Sequence, residues 1–178
     1  MNGMLTPWLE ARGLSNLTRG VLYFAVSRRG APIQVGEPSL FNGPHASAVV
    51  SWLQGLEIDA SEVGEEAFQS VEVEKLLWNC VFGLLCGVSG KPVGLLCDEH
   101  IDVVEGMTKE FIEVARESRG IRLQLEQVLP AMVKYSHSIS DYVGRVSDWP
   151  FRNGWFVQAG NTAGVPMPIH DAWVARLP

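Results

Sequence analysis

The stretch Val71-Glu72-Val73-Glu74-Lys75-Leu76-Leu77-Trp78-Asn79-Cys80-Val81-Phe82-Gly83-Leu84-Leu85-Cys86 decides the fold class. Its apolar residues do not keep to one stripe at the 3.6-residue helical period. They occupy nearly every side, as in a helix buried at the centre of a bundle or in an interface. The remainder of the chain toward the C-terminus is helical in pattern as well. Asp98 to Ser118 carries Ile101, Val104, Met107, Phe111, Val114 and Ala115 with charges between them, an amphipathic helix ended by Arg119-Gly120. Leu123 to Lys134 is a further helix, interrupted by Pro130. Phe151 to Ala163 is another, Gly164-Val165-Pro166 stops it, and Ile169 to Leu177 forms a last short helix. Gly87 to Gly94 reads as a loop. Trp149, Trp155 and Trp173, at helical spacing, are expected in the core.

Upstream of this stretch the pattern changes. Pro7 to Arg12 reads as a short helix and Val21 to Val26 as one continuous strand. Ser27 to Pro32 makes a basic turn, and Ile33 to Gly36 alternates like a second strand. A lone pair of strands is marginal in water, so these call for a sheet. Pro44 to Leu53 reads as a helix with Ala46, Val49, Val50 and Leu53 on one face, and Glu57 to Glu66 as an acidic linker. The expected fold class is mainly α: residues 1–60 hold the strands, and residues 61–178 form a helical domain.

Composition narrows the function. Hydrophobic residues make up 47% of the 178 and charged residues 19%, enough apolar surface for a real core. The net charge of −6 repels phosphates, and Arg28-Arg29 is the one adjacent basic pair, so no nucleic-acid partner is expected. The apolar run around Val81 to Leu85 is too short to span a bilayer, so no membrane partner is expected either. Cys80, Cys86 and Cys97 match no zinc or redox spacing and lie in apolar stretches; reduced thiols and a cytoplasmic setting are expected.

Chemistry concentrates in the buried-looking helix. Lys75 and Asn79 are four apart, so they share a face, with Gly83 one turn further on. A lysine there can act as a general acid when partial burial moves its pKa toward neutrality, and an asparagine can bond a hydroxyl or carboxylate. The plain alternative is a lysine that snorkels to water and an asparagine that caps a neighbouring loop. Tyr135 to Asp141 gathers hydroxyls and one histidine, read as a turn that opens a helix: an N-cap, or a carboxylate-binding loop. Asp98-Glu99-His100 is read as a helix start complementing the helix dipole, and no metal is assigned. No glycine-rich dinucleotide turn, P-loop or nucleophile elbow occurs in these residues.

Three motifs in order carry a resemblance. Lys75 to Gly83 resembles the K-L-x-x-N-x-x-x-N helix that opens the C-terminal domain of ketopantoate reductases. Gly144 to Gly154 is similar to that family's G-R-x-T-E-x-D-x-x-N-G segment, and Ala163 to Pro168 to its G-[IV]-x-x-P motif. Met1-Asn2-Gly3 resembles the Q-N-G turn late in the family's Rossmann domain, and Val21 to Gly36 its closing strands. The resemblance therefore implies a chain that begins inside the dinucleotide domain, after its glycine-rich start.

The family reduces the ketone of a small 2-keto acid with NADPH. The resemblance makes Lys75 the general acid, and Asn79 and Asn2 substrate contacts. Ser138 or Ser136 would hold the substrate carboxylate, and Asp148 would contact the cofactor. The chain departs from the pattern at Gly83, which replaces an asparagine, at Asp148, which replaces a glutamate, and at the bulky Trp149-Pro150-Phe151-Arg152. The implied function is the C-terminal portion of an NADPH-dependent 2-keto acid reductase, inactive without its cofactor half. The alternative is a non-catalytic homologue kept as a dimerisation or partner-binding module. A homodimer through the apolar helices is expected in either case.

Overall fold

The computed structural model describes residues 3–25, 29–30, 33–35 and 37–178. Two compact units emerge: Leu5–Glu72, and Val73–Pro178 together with the N-terminal residues through Met4.

The first unit opens with helix α1 (Thr6–Glu10) and holds strands β1 (Arg19–Val21), β2 (Phe24–Ala25), β3 (Gln34–Val35) and β4 (Ser39–Asn42), helix α2 (Ala46–Gln54) and strand β5 (Ala60–Glu62). Val21 to Ala25 is not one strand. The Tyr23 N–H donates to Ser39 Oγ at 3.0 Å, and the chain changes partner there. β1 pairs antiparallel with β4, whereas β2 pairs antiparallel with β3, Phe24 opposite Val35. The hairpin is thus present as a two-residue ladder; Val26, Gly36 and most of the Ser27 to Pro32 turn lie outside the described residues.

The reading of Glu57 to Glu66 as a linker is corrected. β5 lies within it and runs parallel to β4, giving a sheet of order β1-β4-β5 closed by the crossover helix α2. As an edge strand, β5 exposes Ser61 and Glu62 and buries only Ala60, so its sequence is too polar to announce a strand. Phe41, Ala46, Val50, Leu53, Ile58 and Ala60 make this unit's core.

The helical domain is built around α3 (Glu65–Ser89), whose first turns belong to the strand-containing unit. From Val73 onward α3 buries Val73, Leu76, Leu77, Cys80, Val81, Phe82, Leu84 and Leu85 almost completely, the all-round burial its sequence implies. Helices α4 (Val93–Glu99), α5 (Ile101–Arg119), α6 (Leu125–Ser138), α7 (Asn153–Ala163) and α8 (Pro168–Val174) complete it, with a 3-10 turn at Trp149–Phe151. α5 packs on α6, α7 and α8, and α4 on α6. The α5 stripe Val104, Met107, Phe111, Val114 and Ala115 is buried as expected, while Ile101 is exposed. Gly120 stops α5 in the left-handed conformation that a residue without Cβ adopts freely.

Several boundaries differ. The expected loop at Gly87 to Gly94 instead holds the end of α3 and the start of α4. α6 continues through Pro130, which is exposed, and ends at Ser138. α7 begins at Asn153 rather than Phe151, because Arg152 leaves helical geometry at φ −119°, ψ −115°.

Glu110 of α5 caps α8. Its two carboxylate oxygens accept the backbone N–H groups of Ile169 (2.7 Å) and His170 (2.9 Å). Burial nonetheless pushes the Glu110 carboxyl up, against the pull of those two donors. Glu110→Ala, which strands two N–H groups, is expected to cost about 1–3 kcal/mol in chemical denaturation. An unchanged unfolding midpoint would contradict the capping role.

Candidate functional site on helix α3

Lys75 and Asn79 share one face of α3, both half-buried. Asn79 Nδ2 donates to the Lys75 carbonyl oxygen at 2.8 Å, which fixes the amide on the turn below and leaves Oδ1 for other donors. Burial lowers the Lys75 ammonium from 10.5 to about 8, because desolvation penalises its charged form. Glu74 beside it is pushed up for the same reason. An amine near 8 is mostly charged at neutral pH and loses its proton at little cost, which suits a general acid.

The lowered pKa sets the sign of a stability effect. The folded pKa lies below the unfolded one, so between pH 8 and 10.5 the unfolded chain binds more protons and Lys75's contribution to stability rises with pH. The sequence has four lysines, Lys75, Lys91, Lys109 and Lys134. After reductive ¹³C-methylation, which labels the four lysines and the N-terminal amine, the signal that vanishes in Lys75→Arg is expected to titrate near pH 8. If the signal that vanishes titrates near 10.5 instead, the site is more hydrated than its packing implies.

Gly83 shows why the asparagine of the resembled pattern is missing. A Cβ at Gly83 would sit 3.0 Å from the Arg145 carbonyl oxygen, and one at Gly87 3.2 Å from Val146 Cγ2. Gly144 reaches α3 at the same place, where its own Cβ would lie 3.5 Å from Gly83 Cα. The 144–146 segment is therefore laid directly on the helix, and its backbone takes the space a longer side chain needs.

Beyond that crossing the chain turns at Asp148, a non-glycine residue at φ 49°. Its carboxylate pairs with Arg152 Nη2 at 3.3 Å, and Arg152 Nη1 donates to Ser147 Oγ at 2.8 Å. Arg152 stands near Cys80 of α3: burial pushes that thiol up, and the guanidinium opposes the shift. Asn153 is buried and donates through Nδ2 to the Cys80 carbonyl at 3.3 Å, with His170 Nε2 at 3.4 Å from the same nitrogen.

The hydroxyl-rich segment requires a correction. Ser136 and Ser138 end α6 instead of opening a helix, so the local backbone presents carbonyls, not the N–H groups of an anion site. Ser136 is buried; its Oγ accepts from Trp78 Nε1 (2.9 Å) and donates to the Met132 carbonyl (2.9 Å). Ser138 is exposed and donates to the Tyr135 carbonyl at 2.7 Å. Asp98 and Glu99 likewise end α4 rather than start α5. Among the described residues no three His, Cys, Asp or Glu side chains gather as metal ligands, and no single helix is long and apolar enough to cross a membrane. Asn2 lies outside the described residues.

Residues 67–177 match the family described as ketopantoate reductase PanE/ApbA C terminal. The chain belongs to the ketopantoate reductase family. Solved structures agree in fold. A PanE/ApbA family ketopantoate reductase from Ralstonia eutropha superimposes with a TM-score of 0.79 at 18% identity, over 99% of this chain and 63% of its own. 2-Dehydropantoate 2-reductase from Methylococcus capsulatus gives 0.75 at 18%, over 98% and 66%. D-Mandelate dehydrogenase, solved with NADH, gives 0.75 at 14%, over 99% and 73%. The chain thus spans under two thirds of the length of the two reductases. A search of curated proteins found no match. The mainly helical fold of the family's C-terminal domain is the one its sequence implies.

Within this ketopantoate reductase fold, sequence reasoning found Lys75 and Asn79 but assigned no role to Asn153, His170 or Arg152. Asn153-Gly154 at a helix start was the one available signal for Asn153. A lone histidine in a terminal helix, as at His170, carries none.

Proposed function

We propose that these residues form the substrate half of an NADPH-dependent 2-keto acid reductase. The observation that carries this is the half-buried Lys75 on α3, brought toward neutrality beside Asn79 at the two positions the family's motif prescribes. Reduction of a 2-keto acid adds a hydride to the carbonyl carbon and a proton to its oxygen. NADPH, when bound, supplies the hydride. Lys75 gives its ammonium proton to the oxygen and becomes a neutral amine, a form its burial already favours. Asn79, with an amide that both donates and accepts, holds the same oxygen before and after it becomes a hydroxyl.

The residues present do not fit the phosphate end of a dinucleotide. No glycine-rich strand-turn-helix occurs in the sequence, and Asp148 is engaged with Arg152. The phosphates are therefore assigned to residues outside this sequence. Fluorescence titration of the 178-residue chain with NADPH is expected to show no tight binding. Tight, saturable binding would overturn the division into a substrate half and a cofactor half.

One observation favours a second reading, a homologue kept for association. The Arg145 carbonyl lies only 3.0 Å from where a Cβ at Gly83, the place of the second helix asparagine, would stand. Activity of the intact reductase decides between the two.

A further inference from the structure

The helical domain buries a polar chain that the proposed chemistry does not use. His170, fully buried in α8, places Nδ1 3.1 Å from Asp171 Oδ1 and Nε2 3.4 Å from Asn153 Nδ2. Asn153 Nδ2 also reaches the Cys80 carbonyl on α3, the residue after Asn79. An amide nitrogen only donates, so His170 Nε2 must accept, and the ring proton must sit on Nδ1, where it meets the Asp171 carboxylate. With that tautomer every bond in the chain has a donor and an acceptor.

A second proton on His170 breaks this order. Taken from solvent onto Nε2, it sets N–H against N–H. The conflict resolves when the Asn153 amide turns over and offers Oδ1, and that rotation removes its bond to the Cys80 carbonyl. The ring has little room to move instead, since Phe111 lies 5.3 Å away and Trp149 stacks over it at 6.5 Å.

We infer that His170 is a positioning residue, which holds the Asn79–Cys80 turn of α3 through Asn153 while neutral and releases it when protonated. Among the described residues the titratable groups bonded to it are Asp171 on its own helix and Glu110 from α5 on its backbone N–H; Cys80 of α3, whose carbonyl Asn153 meets, feels the Arg152 guanidinium. Burial lowers the His170 pKa and Asp171 opposes that shift, which agrees with a neutral ring at neutral pH. The importance of this turn to catalysis rests on the reductase reading; the coupling itself does not.

The test is an NMR titration of the isotopically labelled full chain without substrate. The expected result is an Nδ1–H tautomer for His170 at neutral pH. As pH falls through the His170 midpoint, the Asn153 side-chain amide and the Cys80 carbonyl should shift with that same midpoint. His170→Gln, whose amide oxygen accepts as Nε2 does, should abolish the shift, and Glu110→Gln should keep it. Should His170→Gln fail to fold, Asn153→Asp supplies the same answer: a carboxylate only accepts, so the His170 midpoint should rise. An Nε2–H tautomer, a Cys80 carbonyl that ignores the titration, loss of the response in Glu110→Gln, or an unmoved midpoint in Asn153→Asp would each overturn the inference. Because no turnover is read, failure here leaves the role of Lys75 standing, and an inactive reductase leaves this coupling standing.

Discussion

If the proposed reading holds, Lys75→Ala in an intact reductase containing these residues lowers kcat for 2-keto acid reduction by about 10²–10⁴-fold, the usual worth of a positioned general acid. KM should change far less, because the proton moves only as the carbonyl is reduced. Lys75→Arg should rescue little. Its guanidinium keeps the charge but holds its proton too tightly to give it up near neutral pH. Stability should barely fall in Lys75→Ala, since the ammonium is held in an environment that disfavours its charge. Retained kcat within about tenfold in Lys75→Ala would remove Lys75 from the chemistry and favour the association reading.

Phe111→Ala is expected to cost about 3–5 kcal/mol, the range for deleting a fully buried aromatic ring. Phe111 has no exposure and stacks on Phe156 of α7 at 4.1 Å between centroids, nearly parallel at 18°. It also lies against His170 of α8, so its loss opens a void where three helices meet. A domain is stable by about 5–15 kcal/mol in all, so the variant should unfold at markedly lower denaturant. Leu95→Ala, at a side chain 41% exposed on α4, should shift the midpoint little. Equal shifts for the two variants would contradict the packing of α5 against α7 and α8.

What was legible in the sequence was local. The all-round apolar run announced α3 as a central helix, and a four-residue spacing put Lys75 and Asn79 on one face. The α5 stripe was readable for the same reason. Features that depend on distant partners were not. β5 is a strand because β4 pairs with it, although Ala60-Ser61-Glu62 has no strand pattern of its own. Ser136 is buried because Trp78, 58 residues away, donates to it. Gly83 sits close under the Arg145 carbonyl, which only the folded chain brings there. His170 and Asn153 meet across 17 residues through a turn that neither residue specifies. The helix ends at Ser138 and Glu99 were misplaced because a run of polar residues serves equally well to start or stop a helix.

That Lys75 meets the carbonyl of a 2-keto acid can be tested on this chain directly. A neutral lysine amine condenses with such a carbonyl to an imine and water, and cyanoborohydride hydride then fixes the imine as a stable secondary amine. Incubation with glyoxylate and cyanoborohydride near pH 8, followed by peptide mass spectrometry, ranks the four lysines by their access to that carbonyl. Lys75 is expected to be labelled ahead of Lys91, Lys109 and Lys134, and an unreactive 2-hydroxy acid is expected to slow its labelling selectively. Labelling of Lys75 no faster than the other three, or untouched by the hydroxy acid, would contradict the claim.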